Sequence, residues 1–229
     1  MVKRVVAVAA LLVAVTPGGD PEPVERVAVH GDLEHARHVA VVVPGSDVDE
    51  RRFDATVGEM ARAVHAQAGR DDLAVVAWLG YRTPSGVGVD AASGRLARAG
   101  ARSLARFVRD LPGEVHLLCH SYGSVVCGLA ARGLDVADIA FTGSPGVRAG
   151  SVAELGTTAR VWAARGEDDW TRWVPNVRFG DLGHGRDPVD PAFGARVFDT
   201  GTARGHDEYY RPGTASLRAL ARIAVGERP

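Results

Sequence analysis

Residues able to carry covalent chemistry fall in three short stretches of this chain. The first is LLCHSYGS at 117–124, where an apolar run stops at Ser121 and Gly123 follows two positions later. A serine hydroxyl is a poor nucleophile at neutral pH. It attacks an acyl carbon only with a base in hydrogen-bond reach and a third group to orient that base. Candidate bases after Ser121 are His184, in LGHGRDP, and His206, in RGHDEYY; candidate acids stand in RVWAARGEDDW as Glu167, Asp168 and Asp169. A serine between small residues is more often a turn or cap than a nucleophile, so the elements that hold it must decide.

Those elements alternate. HVAVVVPG reads as a buried strand, and Phe53, Val57, Met60, Ala61 and Val64 then recur at helical spacing. DLAVVAWLG is the next strand; Leu96, Gly100, Leu104, Phe107, Val108 and Leu111 mark a second helix; VHLLC at 115–119 is strand again. ADIAFTG and RVWAA are further strands, NVRFGDL is strand-like, and Leu217, Leu220, Ala221 and Ala224 form the face of a final helix. Such alternation predicts an α/β fold with a mostly parallel sheet and helices on its faces. Ser121 then sits where a buried strand gives way to a helix, the sharp turn that can hold a nucleophile at the C-terminal edge of a sheet. The usual pattern is GxSxG. Here Cys119 replaces the first glycine and Gly123 supplies the second.

Composition bounds the rest. With 229 residues, 46% of them hydrophobic, the chain is expected to form a single domain over 1–229 with one sizeable core. A formal net charge of −1 gives no basic footprint for nucleic acid and no acidic tail, so partners should be small or neutral. Lys3 is the only lysine among 27 basic residues, which reads as base-composition bias. Because a helix rises about 1.5 Å per residue, the sulfurs of Cys119 and Cys127 are expected to be carried too far apart to bridge and to stay as buried free thiols. No CxxC motif or Cys/His cluster suggests zinc. MVKR followed by VVAVAALLVAV resembles a secretory signal and is too short to span a bilayer. No clean small-x-small cleavage site precedes TPGGDPEP, so the preferred reading is a hairpin of LLVAV and VERVAVH, with a cytoplasmic placement preferred over export.

The chain resembles a largely uncharacterised group of small α/β-hydrolase-fold proteins with a CHSYGS or GHSYGS elbow. The motifs that carry the resemblance are, in order, VVVPGSD, WLGYRTP, CHSYGSVVCG, GSPG, DWTRWVP, LGHGRDPVDPAFGAR and GHDEYY. It implies the α/β-hydrolase fold and a serine-hydrolase triad running Ser, acid, His along the chain. His30, His35, His38, His65 and His116 precede Ser121 and fail that order, while His120 is expected to turn into the interior as a packing residue. The resemblance favours His206 as base, leaving His184 to shape the rim, and selects Asp169, the acid followed by tryptophan. Oxyanion donors are expected from the backbone N–H groups of Tyr122 and Ser46, with Gly45 letting the chain turn in PGSD; PGSD also reads as an ordinary turn. GSPG at 143–146 is likewise a turn beside the cleft.

Residues 143–159 leave no space for a cap domain, so a shallow, open cleft is expected, with Trp78, Tyr81, Trp170 or Trp173 as candidate walls. The function these expectations describe is hydrolysis of a small-molecule ester or amide through an acyl-enzyme on Ser121, with no cofactor or metal. The alternatives are acyl transfer by the same triad, or a binding domain that kept the fold and lost the activity.

Overall fold

The computed structural model describes residues 25–229; the LLVAV strand expected near the start, and the signal-like segment with it, lie outside them. Seven strands form one sheet in the order β1-β3-β2-β4-β5-β6-β7: β1 Arg26–His30, β2 His38–Val43, β3 Leu73–Leu79, β4 Glu114–His120, β5 Asp138–Thr142, β6 Arg160–Ala164 and β7 Arg196–Val197. Only β1 runs antiparallel, against β3. The helices are α1 Glu59–Ala68, α2 Val89–Ala92, α3 Arg95–Arg109, α4 Gly123–Ala130, α5 Val152–Leu155 and α6 Ala215–Ile223.

Side-chain alternation along the strands builds a core on each face. Val39, Val41, Val43, Leu117, Ile139 and Phe141 pack under α3 and α4, while Ala40, Val42, Leu118, Ala140 and Trp162 pack under α1 and α6. Strands covered on both sides must be apolar nearly throughout, which is why HVAVVV and LAVVAWL stood out as unbroken runs. The order of strands reverses at β2, which lies between β3 and β4. In open α/β sheets the crevice at such a reversal, beyond the C-terminal strand ends, is where ligands bind.

Four expectations need correction. NVRFGDL is a loop closed on itself by a Phe179–Leu182 bridge, and the last strand is the two-residue β7. The stretch from Phe53 enters α1 through a π-helical turn at Asp54–Gly58. Trp78 and Tyr81 are core residues: Trp78 is fully buried against Phe107, and the Tyr81 hydroxyl donates to the Pro44 carbonyl at 2.6 Å.

The fourth concerns the cysteines, which are joined as a Cys119–Cys127 disulfide with Cα atoms 6.5 Å apart. The 1.5 Å rise applies along one helix axis. Here the chain reverses at Ser121, so α4 runs back beside β4 and the two cysteines face each other across the turn. A bridge closing a loop of this length removes unfolded-state entropy equivalent to ~2.5 kcal/mol. Replacing both cysteines by alanine is therefore expected to lower Tm by roughly 5–10 °C, read by thermal melts with and without reductant. Two titratable thiols in denatured, unreduced protein would refute the bridge.

Candidate active site

Ser121 adopts φ 53°, the left-handed region that non-glycine residues avoid at a cost of order 1–3 kcal/mol. Its N–H donates to the Thr142 carbonyl at 2.9 Å, and its own carbonyl accepts from the Ser124 N–H at 2.9 Å, so one strained residue joins β4 to α4. Two glycines make room. A Cβ on Gly123 would stand 2.5 Å from the Val43 and Pro44 carbonyl oxygens, and one on Gly45 would stand 2.5 Å from the Ser121 Cβ. The elbow thus presses against the end of β2, and Gly123 is required by close approach, not by its φ.

The loop between β7 and α6 brings His206 over this edge. His206 Nε2 lies 2.8 Å from Ser121 Oγ, and His206 Nδ1 lies 2.9 and 3.0 Å from the two carboxylate oxygens of Asp169. Asp169 follows β6 and is fully buried. Burial alone would raise its carboxyl, but hydrogen bonds from His206, the Tyr209 hydroxyl and the Thr171 N–H outweigh this and hold it well below the usual carboxylate range. It stays ionised, so His206 keeps Nδ1–H toward Asp169 and a bare Nε2 toward Ser121. Glu167 and Asp168, the other candidate acids, are exposed and pair with Arg204 instead.

The supporting residues were not singled out by sequence. Tyr209, three positions after His206 in GHDEYY, holds both Asp169 and the Gly166 N–H, at 2.8 Å for the latter. Gly143, at φ +56°, lets the pair lie across the end of β5, since a Cβ there would stand 2.7 Å from Asp169 Oδ2. Its place in GSPG and the aromatic pair after the histidine were the available signals.

His120 packs behind the site with its ring centroid 4.8 Å from that of His206. Burial and the neighbouring His206 push its pKa down to about 3, so it stays neutral. His120, His206 and Asp207 approach closely enough to share an ion, but both His206 nitrogens already face Asp169 and Ser121.

Tyr122, Ser46 and Gly45 line the same crevice as Ser121. Tyr122 is the N-cap of α4, where helix N–H groups lack intrahelical acceptors. Its hydroxyl donates to the Ser93 carbonyl at 2.7 Å and accepts from the Ala97 N–H at 3.2 Å, which fixes the start of α4 against α3. His184 lines the crevice edge-on to the Tyr122 ring, and its Nε2 donates to the Ala91 carbonyl at 2.7 Å. Its Nδ1 is buried without a protein partner, and burial lowers its pKa.

The cleft is deeper than expected, about 680 Å³. The stretch after β5 is indeed too short for a cap, and the segment between β6 and β7 supplies one wall of the crevice. Arg148 and Arg98 hold this segment down through Asp181, at 3.0 and 2.6 Å, and Arg165 pairs with Asp187. Its residues Val174, Phe179 and Leu182 face Val48, Met60 and Val87 across an apolar crevice. Trp170 lines it and lies 4.9 Å from the His206 ring, centroid to centroid, whereas Trp173 points to solvent. Among the described residues the exposed large apolar side chains are, except Val197, all on 87–89 and 170–182, the segments bordering this mouth. No helix of the described residues is long and apolar enough to cross a membrane.

Residues 20–179 match the family model described as alpha/beta hydrolase, and the chain belongs to that family. Two uncharacterized proteins of Mycobacterium tuberculosis are similar in sequence. Rv0963c is 30% identical over 166 residues, covering 63% of this chain and 61% of its own length; Rv2079 is 29% identical over 238 residues, covering 86% and 36%. The chain therefore spans less than two thirds of either relative. Solved structures share the fold: esterase PE8 (TM-score 0.52, 18% identity, 78% of this chain and 89% of that one) and Est1E from Butyrivibrio proteoclasticus (0.53, 10%, 89% and 94%). A Xanthomonas campestris protein described as an α/β serine hydrolase without lid also matches (0.50, 19%, 88% and 88%).

Proposed function

We propose that this α/β hydrolase is a serine hydrolase that cleaves an ester or amide with an apolar acyl group through an acyl-enzyme on Ser121. The observation that carries the reading is the unbroken line from the ionised Asp169 through His206 to Ser121 Oγ, every link within 3.0 Å. In the first step His206 Nε2 takes the Ser121 proton as Oγ bonds to the acyl carbon, and Asp169 stabilises the imidazolium that forms. His206 then protonates the leaving oxygen or nitrogen, and a water deprotonated by the same nitrogen releases the acid. The Tyr122 and Ser46 N–H groups donate to the developing oxyanion, a contribution of about 3–4 kcal/mol per donor in such sites. His184 shapes the wall of the pocket and takes no proton from Ser121.

An apolar crevice beside the reacting serine favours an acyl chain over a charged or sugar group. Wild-type protein is expected to be labelled by a fluorophosphonate probe. Its kcat/KM on p-nitrophenyl esters should rise from acetyl toward octanoyl by up to about fourfold per methylene, the value of burying one CH₂. A folded wild type that does not label would favour the binding-domain reading; flat or falling rates with chain length would refute the apolar acyl site.

A further inference from the structure

The opposite, N-terminal edge of the parallel strands holds a second cluster. His38 begins β2, Glu114 and His116 begin β4, and strand pairing sets His38 beside Glu114 and His116 beside Asp138 at the start of β5. His38 Nδ1 lies 3.1 Å from His116 Nε2 and 3.3 Å from Glu114 Oε2. His116 is fully buried, and its Nδ1 donates to Asp138 Oδ2 at 2.8 Å. Asp138 also accepts hydrogen bonds from the Arg160 guanidinium and the Trp162 indole N–H, so it faces donors on every side.

These contacts fix the His116 tautomer. With Nδ1–H committed to Asp138, Nε2 presents a lone pair to His38, the carboxylate–histidine arrangement that orients a metal-ligating imidazole. With the His38 proton on Nε2, its Nδ1 offers a second lone pair beside His116 Nε2 and Glu114 Oε2, so the three atoms can face one cation. Ligand atoms at about 2.0–2.1 Å from tetrahedral zinc stand about 3.3–3.4 Å apart, close to the separations seen here. The acids Asp72, Glu114 and Asp138 outnumber Arg70 and Arg160 around the two imidazoles, so the surroundings favour a cation. Glu114 is half exposed, which leaves the fourth position open to water.

We propose that His38 Nδ1, His116 Nε2 and Glu114 Oε2 form a zinc site, with Asp138 as the positioning residue behind His116. The site ties the starts of β2 and β4 together, away from the strand ends that carry Ser121, and is independent of the hydrolase reading. His38 and His116 stand 78 positions apart, so no spacing motif reveals them.

The test uses the full chain stripped with EDTA and titrated with zinc chloride by calorimetry. The expected result is one zinc per chain and a Tm raised by zinc. Cobalt substitution should give the intense visible absorption of a tetrahedral site. His116 is too buried to replace safely, so the variants are His38→Ala and Glu114→Gln, which leave the His116–Asp138 bond in place. His38→Ala should weaken zinc binding by about 100-fold or more, and Glu114→Gln by about 10-fold, with probe labelling at Ser121 unchanged in both. Absence of stoichiometric zinc uptake by wild type, or equal affinity in the His38→Ala/Glu114→Gln double variant, would overturn the proposal.

Discussion

Ser121→Ala is expected to abolish labelling by a fluorophosphonate probe and to lower ester turnover by about 10⁴- to 10⁶-fold. The magnitude follows from the proposed mechanism: alanine leaves His206 and the two proposed N–H donors in place but removes the oxygen proposed to bond the acyl carbon. Whatever turnover persists would come from water held at the oxyanion donors. The substitution should not harm the fold. Among the described residues Ser121 Oγ hydrogen-bonds to His206, and the strained φ of 53° is accompanied by backbone bonds to Thr142 and Ser124, which alanine also makes. Unchanged Tm with lost labelling is the expected pair of results. Retained labelling at another residue in the alanine variant would move the nucleophile elsewhere.

Sequence alone made much of this site legible, for reasons that differ by residue. Strands β2 to β6 are buried on both faces, so they read as continuous apolar runs, which places Ser121, at the end of one of them, on a sheet edge. Gly123 was legible because helix and strand backbones approach closely after the elbow; Gly45 was legible only as a turn glycine, since its approach to Ser121 Cβ is distant in sequence. The apolar wall was not. Val174, Phe179 and Leu182 lie in an irregular segment whose Asp181 is held by Arg148 and Arg98, contacts distant in sequence that leave no periodic trace.

The disulfide was missed for a geometric reason, because distance along an element was used where distance across a turn decides. The bond braces the elbow, linking the strand before Ser121 to the helix after it.

The choice between the two late histidines is the sharpest test, because in the sequence only motif resemblance separates them. His206 Nε2 faces Ser121 Oγ and Nδ1 faces Asp169, while the Nε2 of His184 is already given to the Ala91 carbonyl. His206→Ala should therefore lose labelling and turnover about as completely as Ser121→Ala, since the base acts in acylation itself. His184→Ala should still label, with its effect in KM and acyl preference, because its ring packs on Tyr122 at the pocket wall. Asp169→Asn should lower turnover by about 10⁴-fold, as the amide reverses the tautomer that presents a bare Nε2 to serine. Adding it to His206→Ala should cost little more: a carboxylate that acts only through an imidazole has nothing to orient once the imidazole is gone. Additive losses in that double variant would mean that Asp169 acts on the reaction by another route. A dead His184→Ala beside an active His206→Ala would transfer the base to the other loop.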